Sequence, residues 1–398
     1  MIPVRPAHPA GPVHPGLVGG PVYLDHNATT PVDPRVAEAM HPYLTDWFGN
    51  PSSAHAYAAR PRAALARARR QVAGLIGARA GEIVFTGSGS EADNLALRGA
   101  VLAAKTERPH VITQVTEHPA VLETCRSLER LHGVEVTRLP VDGDGLVDPA
   151  ALSAALTERT VLVSVMAANN ETGALQPIAA LARAARARGA LFHCDAAQAV
   201  GKVPLDVDEW GVDLLTVVGH KMYAPKGVAA LYVRDGVPLE PLVHGGGQEQ
   251  GLRAGTESVA LAVALGAAAE LAAKELAAGG HDRVRQLRDR LHARLAEALP
   301  GRVRLNGPVE ARLPNTLNIS IDGSRGHELL AAVPEVAAST GSACHSGDHT
   351  PSPVLRAMGL DDDRALSALR LSLGRWTTEE DVDTAARLLA VAARTGSG

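Results

Sequence analysis

The residues best placed to do chemistry lie in residues 212–227, VDLLTVVGHKMYAPKG. An apolar run through Val212, Leu214, Leu215, Val217 and Val218 reads as a buried strand. It breaks at Gly219 and delivers His220 and Lys221 ahead of a Pro-Lys-Gly turn. Burying an ammonium is costly, and desolvation lowers a lysine's pKa and frees its amine as a nucleophile. That is the requirement for Schiff-base chemistry. Taken alone, the stretch reads more simply as a lysine on a surface turn.

Other stretches change that balance. Residues 83–91, IVFTGSGSE, followed by a helix over residues 92–104, read as a strand, a Gly/Ser turn and a helix. Free N–H groups and hydroxyls at a helix N-terminus bind phosphate. No GK[ST] follows, which excludes a nucleotide P-loop, and an ordinary Ser-capped helix accounts for the pattern equally well. His118 opens a helix after a strand over residues 110–113, where an imidazole can lie over a flat ligand; a lone histidine there is more often structural. Asn170 follows a strand over residues 161–166, and Asp195 ends a strand over residues 191–195 with Gln198 just beyond. Alternating strands and helices predict a mainly parallel sheet, and ligands of such sheets collect beyond the strand ends. Asn170, Asp195 and Lys221 would then meet in one crevice. Residues 25–31, DHNATTP, suit a loop that brings backbone N–H groups to a ligand.

The elements that must hold these residues follow from the rest of the chain. At 398 residues it suits two domains. Residues 1–20, with prolines at 3, 6, 9, 12 and 15, predict a mobile arm in which His8 and His14 bind nothing. A large domain is expected over residues 21–279, up to the Gly279-Gly280 break, and a small one over residues 280–398. The formal charge of -4 argues against a general nucleic-acid or membrane-surface binder. Cys125, Cys194 and Cys344 lack CxxC spacing and are too few for a disulfide framework, so no metal site is expected. Cys125 and Cys194 read as packing. The apolar stretch over residues 258–269 is too short to span a bilayer, and no signal pattern opens the chain. A soluble protein of a reducing cytoplasm is expected.

A carboxylate and a lysine at neighbouring strand ends are what a pyridoxal 5'-phosphate (PLP) site needs, one for the pyridinium nitrogen and one for the Schiff base. The motifs YLDHNATTP, GNPSS, FTGSGSEADN, TEH, NNETG, HCDAAQ, GHKMYAPKG, GGGQEQGLRAGTES, STGSACHSG and LRLSLGRWTTEED run in order from Tyr23 to about Leu388. In them the chain resembles the cysteine desulfurases and selenocysteine lyases, PLP enzymes of the class V aminotransferase superfamily. The resemblance implies the α/β fold-type-I architecture, a large doubly wound domain with a smaller α/β domain beside it. It implies that Lys221 carries the cofactor, Asp195 holds the pyridine nitrogen protonated, Gln198 bonds the ring hydroxyl, and His118 stacks on the ring and can serve as an acid. Gly89, Ser90 and His220 would hold the phosphate, with Thr256 arriving from the second subunit of a homodimer. Asn170 and Arg370 would fix the substrate carboxylate, a task that suits the planar arginine fork.

Cys344, in residues 342–347, matches the family's nucleophile on a mobile loop, with His345 a neighbour that could lower its pKa. The implied reaction converts L-cysteine to L-alanine and leaves a persulfide on Cys344, for delivery to an acceptor protein the sequence does not identify. The alternative is a selenocysteine lyase acting on L-selenocysteine. Val218 stands where many desulfurases have Ser, which removes one phosphate donor, and ACHS followed by PSPVL also resembles the lyases. Ser90 replaces a common Thr, and Pro119 matches neither the Lys of desulfurases nor the Asp of lyases. An aminotransferase is the third reading, and Cys344 argues against it, because transamination has no need of a thiol nucleophile.

Overall fold

In the computed structural model, which describes residues 13–341 and 350–395, the strands in chain order are β1 (Val22–Tyr23), β2 (Ile83–Thr86), β3 (His110–Gln114), β4 (Glu135–Leu139), β5 (Thr160–Ser164), β6 (Leu191–Asp195), β7 (Leu214–Val218), β8 (Ala229–Val233), β9 (Val303–Leu305), β10 (Thr316–Ile321), β11 (Val336–Ala337) and β12 (Ala368–Ser372). A seven-stranded sheet has the order β2-β8-β7-β6-β5-β3-β4. Only β8 runs against its neighbours.

Both faces of this sheet are covered, which is why its strands read as unbroken apolar runs. Along β7 every residue is buried, and the side chains alternate between the two faces. Leu214 packs with Leu95, Val121 and Leu128 of helices Gly89–Ala103 and Pro119–His132. Leu215 and Val217 pack on the other face with Val72, Leu181 and Leu265, from helices Ala59–Leu75, Ile178–Arg186 and Val259–Ala277. That is the doubly wound arrangement. Small residues let two of those helices approach closely: a Cβ on Gly266 would sit 2.7 Å from the Ala68 Cα.

The second core lies between helices Gly280–Ala298 and Glu379–Thr395 and an antiparallel sheet of order β12-β10-β9. Leu287, Leu291, Leu317, Ile319, Leu371 and Leu389 fill it. Val22 and Leu24 bury in the same core, and β1 pairs in parallel with β11. Burial of apolar surface, rather than sequence order, has placed this early segment with the C-terminal half. Of residues 1–20, Val13 to Gly20 are described. His14 donates to the Val32 carbonyl (2.8 Å), and its ring lies 4.9 Å from that of Trp376.

The two cores are joined by an ion cluster in which Arg375 and Asp33 are buried and Glu275 is half-exposed. Arg375 binds Asp33 and Glu275 and lies over the Tyr223 ring, 4.2 Å from its centroid. The Tyr223 hydroxyl accepts from the Arg375 backbone N–H (2.7 Å). Among the described residues, no helix is long and apolar enough to cross a membrane.

Candidate active site

A cavity of about 520 Å³ opens beyond the carboxyl ends of the parallel strands, against β12 of the small domain. The turn after each strand sets one part of its wall. After β7, the single turn Gly219–Lys221 places His220 and Lys221 at the cavity. Gly219 is required there, since a Cβ would come within 2.8 Å of the Val228 carbonyl. The Lys221 Nζ donates to the carbonyls of Asn27 (2.6 Å) and Ala28 (2.8 Å). Burial, with the Arg370 charge behind it, lowers the Lys221 pKa to about 8, against the opposing pull of Asp195 and Asp25. The His220 imidazole meets the Thr29 hydroxyl (3.1 Å), and burial takes its pKa down to about 4, so it is neutral.

After β6, Asp195 is buried at the cavity floor. One of its oxygens accepts from the Ala197 N–H (2.9 Å), while no hydrogen bond from the described residues reaches the other. Burial raises its pKa, opposed by Ala197, His118 and Lys221. Gln198 follows, donating Nε2–H to the Asn27 carbonyl (3.0 Å) and accepting at Oε1 from the Lys202 Nζ (2.7 Å).

After β2, Ser88 caps helix Gly89–Ala103 by accepting from the Glu91 N–H (3.1 Å). The N–H groups of Gly89 and Ser90 find no acceptor among the described residues and line the cavity. Val218 packs against them so closely that a Cβ on Gly89 would fall 2.6 Å from its Cγ2. After β3, His118 is the N-cap of helix Pro119–His132. Its Nδ1 accepts from the Ala120 N–H (3.1 Å), which leaves the proton of the neutral ring on Nε2. Desolvation by the walls lowers its pKa, opposed by Asp195 and aided by Lys221.

Asn170 follows β5, and Arg370 projects from β12. The Arg370 fork donates to the Asp25 carboxylate (2.8 Å) and to the Asn170 carbonyl (3.2 Å), and its buried Nε has no partner among the described residues. Nine predicted residues therefore share one cavity: Gly89, Ser90, His118, Asn170, Asp195, Gln198, His220, Lys221 and Arg370. Thr256 does not line it; within the single chain it is exposed ahead of helix Val259–Ala277. Cys344 and His345 lie outside the described residues. On either side of their segment, Gly341 lines the cavity and the Ser352 hydroxyl donates to Glu171 (2.5 Å).

Residues 25–31 act differently from the expectation. They present carbonyl oxygens to Lys221 rather than N–H groups to a ligand, and Asp25 holds the Arg370 fork. Two further acids were not foreseen. Glu117 is buried with Oε1 accepting from the Met166 N–H (2.6 Å) and Gln114 (2.9 Å), and its Oε2 has no partner among the described residues. Burial and the nearby Asp195 raise its pKa to about 8. Asp93 is buried beside them with its pKa pushed well up, again by burial and Asp195.

These features agree with what the chain is similar to. The class-V aminotransferase family matches residues 22–385. The human cysteine desulfurase is 48% identical over 381 residues, covering 95% of this chain and 83% of that protein. The cysteine desulfurase IscS of Anaeromyxobacter sp. (strain Fw109-5) is 50% identical over 372 residues, covering 93% and 91%. Among solved structures, a NifS-like protein superposes with a TM-score of 0.86 at 36% identity, covering 93% of this chain and 98% of that one. SspA in complex with cysteine gives 0.78, also at 36%, covering 89% and 99%. With the strand-end lysine and aspartate on one cavity and likeness of this extent, the chain belongs to the class-V aminotransferase family, among its cysteine desulfurases.

Proposed function

We propose that the protein is a PLP-dependent cysteine desulfurase that converts L-cysteine to L-alanine and receives the sulfur on Cys344 as a persulfide. The observation that carries this reading is the pairing, on one cavity, of a desolvated Lys221 amine with a buried Asp195 carboxylate that keeps one oxygen unbonded. PLP fits these residues. The free Asp195 oxygen suits a ring N–H, the unpaired Gly89 and Ser90 N–H groups suit a phosphate, and Lys221 supplies the amine. When bound, PLP draws electrons from the substrate and loosens its α-proton.

The chain's own groups supply the rest. Lys221, with a pKa near neutrality, takes the α-proton, and the Asn27 and Ala28 carbonyls stand ready to stabilise the ammonium so formed. Arg370 and Asn170 hold the substrate carboxylate, and Asp25 keeps the fork from swinging away. His118 can donate from Nε2. The Cys344 thiolate forms a bond to the substrate Sγ as the Cβ–Sγ bond breaks, and the bonding pair passes to Cβ, which takes up a proton to become the methyl group. Alanine leaves after the α-carbon is reprotonated, and the persulfide remains for an acceptor protein.

The active form is a homodimer in which Thr256 of one subunit reaches the phosphate of the other. Its exposure outside the cavity of its own chain supports this. So do the solvent-facing Leu44, Phe48 and Tyr57, at 60%, 72% and 70% exposure, an apolar patch that suits a second copy.

The test compares alanine formed from L-cysteine and from L-selenocysteine by the wild type, Lys221→Ala and Cys344→Ala, with mass spectrometry of Cys344. Lys221→Ala is expected to lose both activities by about 10³-fold or more. Cys344→Ala is expected to lose cysteine turnover and the persulfide. A wild type that ignores cysteine and turns over selenocysteine gives the place to the lyase reading. Normal cysteine turnover in Cys344→Ala removes the nucleophile assignment.

A further inference from the structure

We propose that Lys202 is a positioning residue whose amine fixes the Gln198 amide with its N–H edge toward the cofactor ring. The inference rests on the PLP reading above and extends it to a residue outside the cavity wall.

Gln198 and Lys202 lie four positions apart in the turn that follows β6, a spacing that sets their side chains together. The Lys202 Nζ donates to the Gln198 Oε1 at 2.7 Å and lies 3.4 Å from the Asn27 Oδ1. An amide can present either edge to a site, but Lys202 and the Asn27 carbonyl together select one here. A flipped Gln198 would lose the N–H that Lys202 gives to Oε1 and set its oxygen against the Asn27 carbonyl, acceptor against acceptor. With Oε1 held, Nε2 gives one proton to the Asn27 carbonyl (3.0 Å), and its second N–H has no acceptor among the described residues. Gln198 lines the Lys221 cavity, so that free N–H is available to a ring oxygen there.

The same seat serves the catalytic lysine. The Asn27 carbonyl that receives Gln198 also receives the Lys221 Nζ (2.6 Å). Asn27 is fixed in turn by Asn315 (3.0 Å), Thr316 (2.9 Å) and the Asn170 carbonyl (3.2 Å). Lys202 also lines a second cavity of about 260 Å³, together with Lys221, Met222 and Asn315. Among the described residues its amine bonds Gln198 and Asn27. Burial, then the charges of Lys221 and Arg370, push its pKa well below that of an ordinary lysine.

The experiment loads the wild type, Lys202→Met, Gln198→Leu and the double variant with PLP and follows the visible absorption of the bound cofactor against pH. Losing an N–H donor leaves the ring oxygen more negative and better able to hold a nearby proton. Both single variants are therefore expected to raise the midpoint of the pH transition, and the double variant to match Gln198→Leu alone. Lys202→Gln, which keeps an amide donor, is expected to shift the midpoint less than Lys202→Met and serves if the Met variant folds poorly. A wild-type midpoint in Lys202→Met, or a double variant that shifts by the sum of the two singles, overturns the proposal. A wild type with no such band overturns the cofactor reading and this inference with it, whereas an intact band with an unmoved Lys202 variant overturns this inference alone.

Discussion

Where the two cores meet, Asp33 and Glu275 are clamped by Arg375; beneath the Lys221 cavity, Asp93, Glu117 and Asp195 stand without a hydrogen bond from any lysine or arginine among the described residues. The consequences for the carboxyls are opposite. Burial works to raise Asp33, but Arg35 and Arg375 outweigh it and hold the group below the usual carboxylate range. Burial of Glu117 meets no such cation, and its pKa rises to about 8. Nearby His193 offers no compensation. It is held between the hydroxyls of Ser164 (2.9 Å) and Thr216 (3.1 Å), and burial takes its pKa down to about 3. The paired cluster therefore fastens the two halves of the molecule. The unpaired one concentrates electrostatic cost where a cationic ring nitrogen would relieve it.

Breaking each cluster should separate stability from rate. Arg375→Met removes one of two arginines from the buried Asp33 and the bidentate partner of the half-exposed Glu275, and is expected to lower unfolding stability by about 2–3 kcal/mol, read from urea unfolding. An unchanged urea midpoint would dissolve the contrast. Asp195→Asn is expected to do the reverse. It removes a buried carboxylate whose desolvation outweighs the pull of Ala197, His118 and Lys221, so the cofactor-free protein should unfold at the same or a higher urea concentration, while kcat for cysteine falls about 10²–10³-fold. A variant that loses stability and keeps its rate would make Asp195 a structural residue.

Smaller effects sharpen the picture. Asp25→Asn should free the Arg370 fork and raise the KM for cysteine about tenfold, the scale of one charge-assisted hydrogen bond, with less effect on kcat. Equal losses in kcat and kcat/KM would instead place Asp25 in the chemical step. The mildest effect is a pH slope. Glu117 has a native pKa raised above the ordinary carboxylate value of 4.5, so the native state binds the extra proton. Its favourable contribution is complete below 4.5 and is lost as pH rises through about 8. The urea midpoint of the cofactor-free wild type should fall across that window, and Glu117→Gln should flatten the fall. Parallel curves for the two proteins would remove Glu117 from the account.

Much of the site was legible because its signals are local. An apolar run ended by Gly219 places Lys221, a run ending in Asp195 places the carboxylate, and Ser88-Gly89-Ser90 opens a helix, all within a few residues of a strand end. The mainly parallel sheet followed from the same alternation. Thr256 is a boundary case, since one folded chain leaves it outside the cavity that its motif implies.

By itself, then, the sequence determined which strands carry chemistry and which side chains stand at their ends, because burial periodicity and turn residues act over short stretches. Tertiary structure alone decided what those side chains touch. The Lys221 amine is received by backbone carbonyls 193 and 194 positions away, and a carbonyl carries no signature of residue type. Asp25 meets Arg370 across 345 positions, and Lys202 takes its place only because Gln198 and Asn27 converge on it. Such contacts form where the two cores close on each other, and that closure is set by the burial of apolar surface far from the site.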